Sequence, residues 1–271
     1  MKTGWERENR HHFDDIVTEY DSIRPGFPSG LYDDLFAYAG PGHGKAALEI
    51  GAGTGKATGP VLEAGYALTA VEPGANMARF LLEKFGTYEN FKVVNADFED
   101  FESKDNSFDL IYAATSFHWV DAEIGCPKAF NLLKNGGVFA LFRYNYNPPE
   151  GGALFDEIQE AYKKHFLKPY RRPQRKSRAD FATPAEIKRG FGFEDMGKYG
   201  FVDMAMEFYD MSWTLTADDF IALLSTNSDH RSLPPEDRAG LYEGAHRAIL
   251  RHGGHITMDY VYQLYMGRKP S

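Results

Sequence analysis

Three glycines at alternating positions, Gly51, Gly53 and Gly55, directly follow a short apolar run in this chain of 271 residues. Glycine has no Cβ, so this pattern lets the backbone turn tightly and lets a ligand approach the main chain. An acidic residue, Glu49, precedes the first glycine. The chemistry that these residues predict is the binding of a nucleotide-like cofactor in the turn.

A second acidic residue, Glu72, ends the next apolar run and is followed by Pro73. It lies about twenty residues beyond the glycine turn, where an acid that binds ribose hydroxyls is expected in a Rossmann-like unit. An ionised carboxylate accepts charge-assisted hydrogen bonds. The alternative interpretation is that Glu72 only ends a strand before a turn, but its separation from the glycines favours ribose binding.

A third acidic residue, Asp97, follows the apolar run at 91–94 and precedes Phe98. We expect Asp97 to accept a hydrogen bond from the exocyclic amine of an adenine. Phe98 or Met77 would then cover the face of the base. Taken singly, Phe98 and Met77 also fit ordinary core positions, as large apolar side chains usually do.

A polar and aromatic stretch, from Thr115 to Trp119, follows the apolar run at 108–114. Ligands of open α/β sheets bind beyond the carboxyl ends of the strands, so this stretch is expected at the same edge as the glycine turn. His118 is the residue best placed to remove a proton from a hydroxyl or amine. The alternative is that His118 only shapes the pocket or binds the cofactor.

The elements that must position these residues are apolar strands alternating with helices, which is the pattern of an α/β fold. A fifth apolar run, at 138–142, follows a helix end and the pair Gly136-Gly137. A left-handed helix C-cap would explain that pair. Further on, we expect strands at 201–206, 210–214 and 260–266.

The motifs from about 46 to 143 resemble, in order and spacing, the class I S-adenosylmethionine-dependent methyltransferases of the type 11 small-molecule group. The stretch Ser116-Phe117-His118-Trp119 is similar to that of the trans-aconitate methyltransferase-like members. The resemblance implies a Rossmann-like, seven-stranded, mostly parallel sheet of order 3-2-1-4-5-7-6, with strand 7 antiparallel and helices on both faces. It also implies S-adenosylmethionine as the cofactor. The implied cofactor-binding residues are Glu49, Gly51, Ala52, Gly53, Thr54, Gly55, Glu72, Pro73, Met77, Asp97, Phe98 and Thr115.

Three parts of one domain follow from the same resemblance. Residues 1–45 would be a helical lead-in that covers the site, and 46–143 the cofactor-binding core. Residues 144–271 would add a helical insertion, or cap, and the C-terminal hairpin of the sheet. A basic loop at 171–178 would attract an anionic substrate, form a lid, or be an ordinary solvated surface, which is the commonest role of such a run.

The implied reaction moves a methyl group to a small-molecule acceptor by in-line displacement, in which orientation alone contributes much of the rate. It needs no metal and no covalent intermediate. Arg143 would hold a substrate carboxylate, or instead pair with an acid of the chain. The residues expected to line the acceptor pocket are Tyr20, Arg24, Trp119, Arg143 and Tyr144.

Two other functions are compatible with a glycine-rich turn. A nicotinamide-dependent oxidoreductase would need a third glycine at position 56 or 58, where the chain has Lys56 and Thr58. A non-catalytic S-adenosylmethionine-binding protein would keep the same motifs, and only an assay with an acceptor separates it from the enzyme.

Composition is compatible with one sizeable core, since 43% of the residues are hydrophobic and 25% charged. A formal net charge of −9 argues against nucleic acid as a partner. The single cysteine, Cys126, can form neither an internal disulfide nor a cysteine-based metal site. The sequence shows no apolar signal segment and no run of membrane-spanning length, so we expect a cytoplasmic protein with no membrane partner.

Overall fold

The computed structural model describes residues 13–166 and 169–271, so the first twelve residues of the expected lead-in lie outside the described part. The chain divides into two compact units. The helical unit comprises the described residues up to 24, together with 146–176 and 210–260. The sheet unit comprises 25–145, 177–209 and 261–271, and it contains the glycine turn.

Seven strands form one sheet in the order β3-β2-β1-β4-β5-β7-β6. The strands are β1 Ala46–Ile50, β2 Ala67–Val71, β3 Phe91–Val94, β4 Phe108–Ala114, β5 Leu133–Tyr146, β6 Val202–Thr216 and β7 His255–Arg268. β1 pairs in parallel with β2 and β4, β2 with β3, and β4 with β5. The predicted fold class and strand order are confirmed.

β7 runs antiparallel to β5. The amide of Gly136, near the start of β5, donates to the carbonyl of Lys269, while the amide of Asn147, just after β5, donates to the carbonyl of Asp259. Residue numbers therefore rise along one strand as they fall along the other, as predicted for the last strand of this fold. The two strands expected at 201–206 and 210–214 form a single long strand, β6.

Eleven α-helices accompany the sheet among the described residues. They are α1 Val17–Ile23, α2 Ser29–Ala39, α3 Thr58–Glu63, α4 Ala75–Phe85, α5 Ala122–Leu132, α6 Ala153–His165, α7 Arg178–Phe181, α8 Pro184–Phe191, α9 Ala217–Ser225, α10 Ser228–Arg231 and α11 Pro235–Arg251. Single 3₁₀ turns cover Phe117–Trp119 and Met196–Tyr199.

The core of the sheet unit lies on both faces of the sheet because successive residues of a strand point to opposite sides. On β1, Leu48 packs in one apolar layer with Cys126 of α5. Its neighbour Ala47 packs in the other layer with Leu35 of α2 and Val61 of α3. Helices therefore cover both faces, which makes the strands of this unit continuously apolar.

The glycine pair after α5 does not cap the helix, so that expectation is wrong. The residue following the helix, Leu133, is already extended, with φ −70° and ψ 139°, and it pairs with Phe108 of β4. The chain thus passes directly from helix to strand and needs no left-handed residue at the junction. Gly136, with φ +74°, lies three residues later in the strand segment.

Candidate active site

The glycine turn after β1 uses the left-handed backbone conformation at three positions. Gly51, Gly53 and Gly55 have φ of +65°, +57° and +79°. A Cβ on Gly51 would lie 2.7 Å from Cβ of Ser116, and one on Gly55 would lie 2.4 Å from Cε2 of Phe85. The packing of the protein itself therefore requires glycine at these two positions.

Gly53 differs, because the only atom within 4 Å of a Cβ built on it is Sδ of Met77, at 3.7 Å. Its backbone thus borders open space, as a turn that receives a ligand must. The amide of Gly53 donates to Oε2 of Glu72 at 2.7 Å, and the amide of Gly74 donates to Oε1 of the same carboxylate at 2.9 Å. The structure thus brings the predicted ribose-binding acid against the glycine turn.

Glu49, on β1, is buried, and its carboxyl group is held by two hydroxyls. Thr58 Oγ1 donates to Oε2 at 2.6 Å, and Tyr112 OH donates to the same oxygen at 3.0 Å. Burial raises the pKa of Glu49 to about 8, although both hydrogen bonds oppose that shift. At pH 7 most molecules therefore carry a protonated Glu49.

Of the residues expected around an adenine, Asp97 and Phe98 follow β3, and Met77 lies on α4. Asp97 is half-buried, and its carbonyl accepts hydrogen bonds from the amides of Asp100 and Phe101. Phe98 is buried in the apolar layer that also contains Phe101. A residue that the sequence did not indicate, Asn95, connects this segment to β2.

Asn95 donates from Nδ2 to two consecutive carbonyls. The acceptors are the carbonyl of Glu72, at 2.8 Å, and that of Pro73, at 2.9 Å. The segment after β3 is thereby fixed to the residue whose carboxylate reaches the glycine turn. Asparagine at a strand end is also common in turns, so no signal in the sequence marked it.

Five enclosed polar atoms of the sheet unit have no hydrogen-bond partner within the described part of the chain. Two are the hydroxyls of Tyr32 and Tyr262, and the other three are Oγ1 of Thr54, Oγ1 of Thr115 and Nδ2 of Asn145. Thr54 follows β1, Thr115 follows β4 and Asn145 lies near the end of β5, so these three are at the carboxyl edge. A buried polar atom without a partner is costly. A polar ligand at this edge would satisfy them, and Thr115, with φ +56°, holds a backbone conformation typical of functional sites.

His118 and Trp119 lie in the 3₁₀ turn that follows β4. Their ring centroids are 4.9 Å apart and the rings are tilted by 42°. Burial, assisted by the positive charge of Arg143, lowers the pKa of His118 to about 4. The imidazole is therefore neutral at physiological pH.

Arg143, on β5, is only 7% exposed. Its Nε donates to Oε1 of Gln263 at 3.2 Å, and its Nη2 donates to the carbonyl of Glu186 at 3.3 Å. The guanidinium lies over the ring of Phe191, 5.2 Å from the centroid. Both hydrogen-bond acceptors are neutral groups.

The remaining residues predicted to contact the acceptor divide between the units. In the sheet unit, the ring of Tyr144 lies 5.6 Å from that of Tyr262. In the helical unit, Arg24 donates from Nε to Oγ1 of Thr226 at 2.8 Å and lies over the ring of Tyr20 at 5.2 Å. Their roles toward an acceptor, and that of Trp119, stay predictions.

Two arginines of the basic loop form ion pairs with acids of the helical unit. Arg172 pairs with Asp156 at 2.6 Å, and Arg175 pairs with Asp259 at 3.0 Å. Within residues 13–166 and 169–271, no group of three or more His, Cys, Asp or Glu is arranged to hold a metal ion. None of the helices in those ranges has the length and apolar character that crossing a bilayer requires.

Comparison with known proteins relates the region around the glycine turn to a protein family. Residues 48–141 match the family model of a methyltransferase domain. An uncharacterized methyltransferase of Mycobacterium tuberculosis is 30% identical over 129 residues, which cover 48% of this chain and 50% of that protein. A Saccharomyces cerevisiae protein assigned to the S-adenosylmethionine-dependent methyltransferases is 26% identical over 155 residues, covering 56% of this chain and 52% of that protein. The chain thus spans about half the length of the curated relatives it matches.

Solved structures of methyltransferases share the fold of the whole chain. A protein of Anaeromyxobacter dehalogenans assigned to the type II methyltransferases has a TM-score of 0.62 at 19% identity, covering 92% of this chain and 99% of that one. Phosphoethanolamine N-methyltransferase 2 of Haemonchus contortus, solved with phosphomonomethylethanolamine and S-adenosylhomocysteine, has a TM-score of 0.55 at 18% identity, covering 100% of this chain and 61% of that one. The predicted fold is confirmed, and residues 48–141 match the predicted methyltransferase family; the trans-aconitate-like branch stays a prediction.

Proposed function

We propose that this protein is an S-adenosylmethionine-dependent methyltransferase that acts on a small-molecule acceptor. The observation that carries the proposal is the contact of Glu72 with the amide of Gly53, inside a methyltransferase domain. It joins the acid expected to bind ribose to the one glycine of the turn that borders open space. The relatives' names and the shared fold support the same activity.

The residues present fit this cofactor. When bound, S-adenosylmethionine supplies a methyl group on a positively charged sulfur. A carboxylate has about four lone-pair sites, so Glu72 can accept from ribose hydroxyls beside the amides of Gly53 and Gly74. Asp97 would bind the adenine amine, with Met77 or Phe98 against the base. The other residues proposed to line the cofactor are Glu49, Gly51, Ala52, Thr54, Gly55, Pro73 and Thr115.

On the acceptor side, we assign His118 a positioning role ahead of a general-base role. A general base works best when its pKa lies near the working pH, whereas burial holds the pKa of His118 at about 4. A neutral imidazole at this edge can donate or accept one directed hydrogen bond. Tyr20, Arg24, Trp119, Arg143 and Tyr144 are proposed to contact the acceptor.

The proposal extends to where the protein works and what it meets. The net charge of −9 disfavours nucleic acid as a partner, and the small-molecule acceptor is the one that the family resemblance implies. We place the protein in the cytoplasm. The division into a lead-in at 1–45, a core at 46–143 and an insertion with hairpin at 144–271 stays part of this proposal.

Calorimetric titration with S-adenosylhomocysteine and, separately, with NAD tests the cofactor assignment. We expect the wild-type protein to bind the adenosyl ligand and not NAD. Glu72→Ala should weaken binding by about tenfold or more, because charge-assisted hydrogen bonds are lost. Glu83→Ala, at an exposed acid on α4, is the matched control and should bind as the wild type does.

Binding of NAD without binding of S-adenosylhomocysteine would contradict the proposal and indicate a nicotinamide-dependent oxidoreductase. Adenosyl-ligand binding without methyl transfer to any acceptor in a broad screen would identify a non-catalytic binding protein. Thermal unfolding of each variant shows whether a lost affinity reflects a lost fold, and Glu72→Gln serves as a second variant that keeps the side-chain shape.

A further inference from the structure

Glu49 is a buried acid near the carboxyl end of β1, and it is only 1% exposed. Its neighbours in the sheet are Ala70 of β2 and Tyr112 of β4. The two groups that donate hydrogen bonds to its carboxyl group, Thr58 Oγ1 and Tyr112 OH, are neutral hydroxyls. None of the described Lys, Arg and His side chains pairs with it. An ionised Glu49 would therefore be a buried charge without a counter-ion, which is unfavourable.

The titratable groups that act on Glu49 are an acid and two phenols. Glu72, which follows β2, adds a negative charge. Besides Tyr112, the other phenol is Tyr32 of α2, whose enclosed hydroxyl has no hydrogen-bond partner in the described chain. Burial, assisted by the charge of Glu72, raises the pKa of Glu49 to about 8 against the effect of the two hydroxyls. In the free protein, the proton on Glu49 is what makes its burial tolerable.

The fold places this acid beside the turn in which we propose that the cofactor lies. β1 ends at Ile50, and the glycine turn begins at the next residue. The carboxylate of Glu72 accepts a hydrogen bond from the amide of Gly53, and the same carboxylate acts on the charge of Glu49. A charge that arrives at the turn and the proton of Glu49 therefore belong to one electrostatic cluster.

S-adenosylmethionine and S-adenosylhomocysteine differ by one charge. The cofactor carries a positively charged sulfur, whereas methyl transfer leaves a neutral thioether and no other change in the molecule. A positive charge within a site stabilises the ionised form of a nearby carboxyl group and lowers its pKa. Because Glu49 has no cation of its own, its protonation should respond to this charge more than that of an acid already paired within the protein.

We propose that Glu49 gives up its proton when S-adenosylmethionine binds and regains one once S-adenosylhomocysteine has formed, so that the protein discriminates the charged cofactor from its uncharged product. The inference rests on the proposed function and deepens it. On binding, the O–H bond of the Glu49 carboxyl group breaks and the proton passes to the solvent. Because linkage is reciprocal, the affinity for S-adenosylmethionine should rise with pH up to about pH 8, whereas Glu49 should leave the affinity for S-adenosylhomocysteine nearly independent of pH.

Calorimetric titration at pH 7, in buffers of different ionisation enthalpy, counts the protons released when each ligand binds. Protons that come from the ligand itself are the same for the wild type and for Glu49→Gln, so the difference between the two proteins counts the Glu49 proton. With S-adenosylmethionine this difference should be about half a proton or more per ligand. With S-adenosylhomocysteine it should be close to zero.

The affinities measured between pH 6 and pH 8 give a second readout. Relative to Glu49→Gln, the wild type should gain affinity for S-adenosylmethionine about threefold or more per pH unit, which is the slope that half a proton per ligand produces. Glu83→Gln, at an exposed acid of α4, is the matched control and should behave as the wild type does. Tyr112→Phe keeps the acid but removes one hydroxyl that favours its ionised form, so the rise in affinity should move to higher pH.

Equal proton release by the wild type and Glu49→Gln, an equal Glu49-dependent release with both ligands, or the same pH dependence of affinity in the wild type and Tyr112→Phe would each overturn the inference. The comparison with Tyr112→Phe keeps the test decisive where Glu49→Gln does not fold. Those outcomes leave the proposed function standing as long as both adenosyl ligands bind. If the wild type binds neither of them, the proposed function itself fails.

Discussion

Glu49→Gln should make the stability of the protein less dependent on pH between pH 6 and 8. Burial raises the pKa of Glu49 from 4.5 to about 8 in the folded state. A carboxyl group whose pKa is raised by folding stabilises the fold fully only below its unfolded pKa. That stability is lost as the pH rises toward the folded pKa, because the unfolded chain ionises first.

The magnitude follows from those two pKa values. Between pH 4.5 and pH 8, each rise of one pH unit lowers the free energy of unfolding by about 1.4 kcal/mol, and by less as the pH approaches 8. From pH 6 to pH 8 the wild type should therefore lose about 2 kcal/mol from this group. Glutamine cannot ionise, and its side-chain oxygen can accept from Thr58 and Tyr112 as the acid does.

Urea unfolding of wild type and Glu49→Gln at pH 6, 7 and 8 measures this effect. All other titrating groups are common to both proteins, so they cancel in the difference between the two free energies of unfolding. That difference should shift by about 2 kcal/mol in favour of the variant as the pH rises. A difference that stays constant over this range would show that Glu49 ionises normally in the folded protein, and the reasoning would be refuted.

Three other changes have expected outcomes. Gly53→Val forces a β-branched residue into a left-handed conformation and fills the open side of the turn. It should lower the free energy of unfolding by about 1–2 kcal/mol and remove S-adenosylhomocysteine binding in calorimetry. Unchanged binding would contradict the claim that the ligand lies against Gly53. Burial lowers the pKa of His118 to about 4 and that of His230 to about 3, so the free energy of unfolding should fall as the pH drops below 6.5. His118→Gln should make that free energy depend less steeply on pH in acid unfolding. Equal dependence in the two proteins would argue against a buried neutral His118. Asn95→Ala removes the two hydrogen bonds to the carbonyls of Glu72 and Pro73. Thermal unfolding should therefore show a loss of about 1 kcal/mol of stability, and the adenosyl ligand should bind several-fold more weakly. Wild-type stability and affinity would show that Asn95 does not support the site.

The part of the site that the sequence predicted is the part built from contiguous segments. The three glycines and Glu72 lie at the ends of neighbouring parallel strands, so apolar patterning and the rule that ligands bind at carboxyl ends were sufficient to bring them together. The strand order could be stated only through the resemblance, since the spacing of strands along a chain does not say which of them pair.

Other parts depend on distant segments and could not be read from spacing. Tyr112 reaches Glu49 because β4 lies beside β1, and the raised pKa of Glu49 follows from burial that only the packed sheet creates. The hydrogen-bond partners of Arg143, the amide oxygen of Gln263 on β7 and the carbonyl of Glu186 on α8, could be identified only in the packed structure. Thr58, which begins the helix after the glycine turn, is the one of the two partners of Glu49 that lies close to it in the sequence.

A crystal structure of the protein with S-adenosylhomocysteine tests the central claim most directly. We predict that the ligand lies against Gly53, that the carboxylate of Glu72 is within hydrogen-bonding distance of the ribose hydroxyls, and that Asp97 faces the adenine amine. A ligand bound elsewhere, or at the turn with its ribose away from Glu72, would contradict the account of this site.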